Sequence, residues 1–213
     1  MVNTSIIYKI LSILLMYPDN NLKFSLKDLL YAFDNEKILS INSHDEIVFF
    51  MNFLMKEDLL LLQQLYVDTF DRKKLYSLYL FEHIHGDSKD RGQAMVDLQN
   101  MYISNGYKIS SYELPDYLPV FLEYLSLISQ KEAGYFLGEI INIVMIIGNR
   151  LKNVNNIYYK LFFALEELSV TKVDENIIKL ALSYEEKMNF GEEFEYNSDE
   201  LTFQNNRKIS NNY

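Results

Sequence analysis

An all-α fold, one bundle of about nine or ten helices, is what this 213-residue sequence predicts, and three observations carry it. Apolar positions recur at helical spacing along nearly the whole chain. Only 3 prolines and 7 glycines occur, too few for a sandwich or barrel, which needs a turn about every 8–12 residues. Helix-capping and helix-stopping residues also stand where the periodic runs begin and end. With 49% apolar residues the chain can bury a core without staples, and it is not of the disordered class.

Element by element, the first helix runs from about Thr4 to Tyr17 and stops at Pro18. It reads as an amphipathic helix and not a signal peptide: no basic segment precedes it, Lys9 sits inside it, and no small-residue cleavage site follows. Ser25 with Asp28 forms the pattern of a capping box for a second helix reaching Asp34. Ser43 with Glu46 repeats it for a third, whose run from Ile47 to Met55 is apolar almost all round. Helices are then expected over Asp58–Thr69, Leu75–His85 with Gly86 as its stop, and Ser88–Asn105 ending at Gly106. Pro115 and Pro119 bracket the start of a helix reaching Ser129, and further helices cover Glu132–Lys152, Asn156–Leu168 and Asp174–Met188. After that the periodicity dissolves, so residues 1–188 are read as the helical domain and residues 189–213 as a mobile acidic tail.

The net charge of −10 argues against nucleic-acid binding and in favour of basic partners. With no cysteine, the chain has no disulfide, thiolate metal site or cysteine nucleophile, and a reducing, cytoplasmic location fits. The most apolar internal run, Ile140 to Gly148, is too short to span a bilayer, so no direct membrane insertion is expected.

Chemistry is scarce. Glu82-His83-Ile84-His85-Gly86 is the one histidine cluster, and Glu82-x-x-His85 matches half of a di-iron site that lacks its second half here. On a helix His83 and His85 would point to opposite sides. No phosphate-cradling glycine loop and no G-x-S-x-G elbow occur. The chain is therefore expected to be no enzyme and to hold no metal or cofactor of its own. A helical ligand-binding protein using Glu82, His83 and His85 stands as the alternative of a different class.

Three stretches mix aromatics, charges and helix-ending residues more densely than packing requires: Leu65 to Arg72, Ser77 to Met95, and Tyr112 to Leu125. Within them, Tyr66-Val67-Asp68-Thr69-Phe70-Asp71-Arg72, Leu80-Phe81-Glu82-His83-Ile84-His85-Gly86 and Glu113-Leu114-Pro115-Asp116-Tyr117-Leu118-Pro119 follow in order. In these motifs the chain resembles the assembly chaperones for the molybdenum cofactor of respiratory nitrate reductase, its delta subunits, within the wider redox-enzyme maturation chaperones. The third motif departs from the Glu-Pro-x-Asp-His of the wider family, and a sister chaperone for a dimethyl-sulfoxide or formate-type enzyme is the nearer alternative.

The resemblance implies a helical chaperone that binds the basic, amphipathic N-terminal segment of the apo catalytic (alpha) subunit. It implies that this subunit is kept competent for insertion of the molybdenum cofactor and an iron–sulfur cluster before membrane attachment. Direct contact with the cofactor, recruitment of cofactor-loading proteins, and simply holding the client open all stand as modes. An apolar groove rimmed by acids suits such a segment. Expected contacts are Tyr66, Phe70, Tyr79, Phe81 and Tyr117 in the lining and Asp68, Glu82, Glu113, Asp116 and Glu123 on the rim, with His83, Pro115 and Leu122 also in the contact set. Arg72 and Arg91 are expected to pair with neighbouring acids.

Overall fold

The computed structural model describes residues 6–84, 90–109 and 112–189. Within them the chain forms α1 (Ile6–Leu14), α2 (Asn20–Asp34), α3 (Ile41–Lys56), α4 (Leu59–Tyr66), α5 (Asp90–Ser104), α6 (Leu118–Leu125), α7 (Gln130–Asn153), α8 (Tyr159–Leu168) and α9 (Glu175–Asn189), and no β-strand. The all-α class is as predicted. The tail expected from residue 189 onward lies, after Asn189, outside the described residues.

Helix α7 is the mast of the bundle. Leu137, Ile141, Val144, Ile147 and Leu151, spaced by three and four, are all fully buried. It packs mainly on α8, and also on α6 and α9, while α1 lies across α6 and α2, and α3 across α8 and α2. A β-carbon on Gly148 would sit 2.8 Å from the Phe162 β-carbon, so glycine lets α7 and α8 approach there. Ser129 and Glu132 form a reciprocal capping box at the start of α7. At its end Asn155, with φ of 53°, turns the chain while the Asn156 N–H bonds the Leu151 carbonyl at 2.9 Å. Gly106, with φ of +79°, closes α5 as expected.

Three expectations need correction. Ser25 opens nothing: α2 starts at Asn20, capped by the Asp19 carboxylate, which accepts from the Leu22 N–H at 2.8 Å. Ser25 instead lies inside the helix and donates to the Leu22 carbonyl. Ser40, not Ser43, caps α3, and the Ser43 hydroxyl bonds Glu167 of α8, which also binds Ser40. The helix expected over Leu75–His85 is absent. Two 3₁₀ turns, Lys74–Tyr76 and Leu80–Glu82, stand there, joined by an extended link, and His85 lies outside the described residues.

Among the described residues no helix is long and apolar enough to cross a membrane. Ile147→Ala should cost about 2–5 kcal/mol in urea unfolding, because a fully buried side chain leaves a cavity that the packed α7–α8 contact cannot close. Phe24→Ala, at an 83% exposed position of α2, should stay within about 0.5 kcal/mol of wild type.

Candidate functional site

The link from Ser77 to Tyr79 is extended because it finds a partner segment. Tyr79 and Tyr117 form an antiparallel bridge. The Leu80 N–H donates to the Asp116 carbonyl at 3.0 Å, and the Leu118 N–H to the Leu78 carbonyl at 2.8 Å. Pro115 biases Leu114, the residue before it, away from helix, while Pro119 sits in the first turn of α6, where its missing N–H would have no partner. Helix α6 accordingly starts only at Leu118, and Glu113, Pro115, Asp116 and Tyr117 precede it where a first helical turn was expected. The Asp116 side chain then accepts the Phe81 N–H at 3.0 Å, which caps the second 3₁₀ turn.

A second irregularity faces this pairing. Helix α4 runs into one π-helical turn, Val67–Asp71, closed by the Arg72 N–H on the Val67 carbonyl at 3.1 Å. The Thr69 hydroxyl bonds back to the Leu65 carbonyl and accepts the Asn156 amide at 2.7 Å, which ties the wide turn to the start of α8.

Between these two features lies a cavity of about 210 Å³, lined by Tyr17, Tyr66, Phe70, Asp71, Leu78, Tyr79 and Tyr117. The Tyr66 hydroxyl donates to the Leu15 carbonyl at 3.1 Å, so the Tyr117 hydroxyl, 2.9 Å away, donates to Tyr66. The rings of Tyr79 and Tyr117 lie 5.2 Å apart, and those of Tyr17 and Tyr66 meet edge-on at 5.5 Å. Tyr117 is pushed up to about 12, chiefly by burial, with Glu113, Tyr79 and Asp71 adding to it. Burial, helped by the same Glu113 and Asp71, also raises Tyr79. The phenols are therefore neutral donors at any physiological pH.

Tyr66, Phe70, Tyr79 and Tyr117, expected as contacts, are thus brought together from three separate stretches. Tyr17, Asp71 and Leu78 were missed. Asp71 lies inside the first motif, and Tyr17 directly before Pro18 where α1 gives way to a turn, so both carried a signal in the sequence.

The other expected residues sit elsewhere. Asp116 is not on a rim: it is fully buried. Arg91 reaches it at 4.0 Å and Glu82 at 3.6 Å, so Arg91 pairs with acids as expected. Leu122 is fully buried core, facing the bundle interior and not a groove. Pro115 is buried, and its carbonyl accepts the Tyr102 hydroxyl at 2.8 Å. Glu123 pairs with Lys9 of α1 and accepts from the Tyr107 hydroxyl at 3.1 Å. Asp68 is held by Arg72 at 2.6 Å. Phe81 packs against the core, and Glu113 is exposed.

His83 donates from Nε2 to the Ser77 carbonyl at 2.8 Å. Desolvation holds its pKa down to about 4, so the ring is neutral near pH 7. Glu82 and His83 are thus both engaged within the fold. Among the described residues no three metal-ligating side chains converge.

The sequence family described as nitrate reductase delta subunit matches residues 42–164, which contain every wall of the cavity but Tyr17. The chain belongs to this family. It is 40% identical over 165 residues to the nitrate reductase molybdenum cofactor assembly chaperone NarJ of Escherichia coli K12, covering 78% of this chain and 70% of that one. It is 35% identical over 181 residues to the probable chaperone NarW of the same strain, covering 85% and 75%. A probable NarJ of Bacillus subtilis is 28% identical over 181 residues, covering 82% and 96%. These relatives of the delta subunit family are named as assembly chaperones and not as enzymes, and each is named for nitrate reductase.

Asp116 makes a pH signature predictable. Burial raises its carboxyl, and the Phe81 N–H and Arg91 offset this only in part. The folded state therefore holds the proton more tightly than the unfolded chain, and stability from this group falls as pH climbs from the ordinary value of 3.8 to the folded one. Asp116→Asn removes that component. Urea titrations between about pH 4 and 7 should show wild type losing stability relative to the variant as pH rises. A gap that moves the other way would mean the carboxylate is stabilised by its surroundings.

Proposed function

We propose that this chain is the assembly chaperone of a respiratory nitrate reductase. In this reading it acts in the cytoplasm and binds the N-terminal segment of the apo catalytic subunit at the tyrosine cavity. The bound subunit stays competent for molybdenum cofactor and iron–sulfur insertion until it attaches to the membrane.

One observation carries the reading: the three unusual stretches of the sequence each send side chains to one cavity whose walls are mostly aromatic. The cavity is not closed over by the fold: of its walls Tyr17 is 48% exposed, and Tyr79 and Tyr117 are half-buried. A fold that needed these side chains only for its own core would bury them. An amphipathic segment laid over such a patch buries its apolar face, and the acids nearby, Asp71 and Glu113, suit its basic residues. The wide π turn and the paired link keep this surface free of regular helix packing, so it is shaped in advance of binding.

The test uses a synthetic peptide of the first fifteen or so residues of the catalytic subunit encoded with this chain. Calorimetry should find one site per chaperone, with affinity reduced but not lost in high salt, since salt screens only the exposed charge pairs. Tyr79→Ala should cost about 1–2 kcal/mol of binding, as the loss of an aromatic anchor does. Leu122→Ala, in the core, should lower stability while leaving the affinity of the folded fraction unchanged. Equal affinity for wild type and Tyr79→Ala would remove the cavity from the reading.

A further inference from the structure

The cavity has walls of one electrostatic kind. Five aromatic rings, from Tyr17, Tyr66, Phe70, Tyr79 and Tyr117, surround it, Leu78 adds an apolar wall, and Asp71 is the one charged residue lining it. Tyr66, Tyr79 and Tyr117 all feel the negative charge of Asp71, and Tyr79 and Tyr117 also that of Glu113. The nearest cations along the chain are engaged elsewhere. Arg72 is held by Asp68 at 2.6 Å, and the Lys73 ammonium lies 5.7 Å over the Tyr76 ring. Among the described residues no cation pairs with Asp71.

We infer that this cavity takes one cationic side chain, an arginine or lysine of the client segment, with its head between the tyrosine rings and the Asp71 carboxylate. The inference rests on the reading that the cavity binds that segment, and it names what enters. A purely apolar guest would leave the Asp71 carboxylate against carbon, which costs it its water without a partner. An acidic guest would meet Asp71 and the negative faces of the rings.

A basic side chain satisfies both halves of the lining. Its hydrocarbon stem lies along Phe70 and Leu78, and its charged head takes the ring faces and the carboxylate. The volume agrees. About 210 Å³ is the space of roughly seven waters in the liquid, room for one long side chain and not for a second helix.

Such a pocket would fix the register of the bound segment. Apolar contact along a groove tolerates sliding, whereas one buried cation seats at one position only.

The experiment is a double-mutant cycle by calorimetry on the full chain, with the fifteen-residue peptide and a series in which each Lys and Arg is replaced in turn by Gln. At one position, and only one, the Gln peptide should bind about tenfold more weakly, the scale of a desolvated cation–aromatic contact. Asp71→Asn, exposed and expected to fold as wild type, should weaken the native peptide severalfold yet add nothing for that Gln peptide. Exchanging Arg for Lys or Lys for Arg at that position then tells which head the pocket prefers. Small, equal losses at every basic position, additive with Asp71→Asn, would overturn the inference and leave the cavity as an apolar contact under a charged rim. No binding of the native peptide to wild type would instead sink the client reading itself, and the inference with it.

Discussion

Three hydrogen bonds between residues 78–81 and residues 116–118 hold the cavity-bearing half of the molecule in place. Two are backbone pairings, and the third carries the Phe81 N–H to the Asp116 carboxylate. A buried stretch that leaves the helical repertoire must find partners for its N–H and C=O groups, and here each segment supplies the other. From this short pairing the neighbouring geometry follows. It sets Tyr79 beside Tyr117, and it starts α6 at Leu118. The Ser12 hydroxyl on the Pro119 carbonyl at 2.7 Å then ties α6 to α1. The end of α1 in turn supplies the Leu15 carbonyl that orients Tyr66. Cavity and bundle are thus one connected structure.

Tyrosine is the material of that connection. The chain has 17 of them and no tryptophan. A tyrosine ring fills core space while its hydroxyl satisfies a carbonyl that a loop or helix end has left without a helical partner. Tyr102 does this for Pro115 and Tyr66 for Leu15. Phenylalanine at either place would pack as well and leave the carbonyl without its donor, a loss on the order of 1–3 kcal/mol when the group is buried. Burial also raises their ionisation, so these hydroxyls keep the proton they donate.

Much of the bundle is legible in the sequence because helical periodicity, capping serines and stop residues are local signals. The long α7 with Glu132 in its first turn, the stop at Gly106 and the helix over Tyr159–Leu168 follow from them. The errors cluster where a local signal competed with a distant one. Ser25 and Ser43 carried capping patterns, but Asp19 and Ser40 lie better placed by the preceding turns, and Ser43 is recruited by Glu167 more than a hundred residues away. The apolar run at Leu75–His85 has helical spacing, yet pairing with Asp116 to Leu118 overrides it, and nothing within the run itself reveals that partner. The same holds for the site. Tyr66, Phe70, Tyr79 and Tyr117 were legible from the company they keep, whereas the burial of Asp116 comes with its pairing to residues 80 and 81, and that of Leu122 with the packing of α6 on α1.

The single wide turn at Val67–Asp71 places an unusual demand on chain length. Each residue of an α-helix advances the direction of its side chain by about 100°, and a π turn delays that advance by one place. Removing one residue there would restore an ordinary helix and keep its hydrogen bonds, but would swing Phe70 and Asp71 about a quarter-turn or more away from Tyr79 and Tyr117. The fold could absorb such a deletion; the cavity could not. Spacing between Tyr66 and Arg72 is therefore as much a part of the motif as the residues themselves.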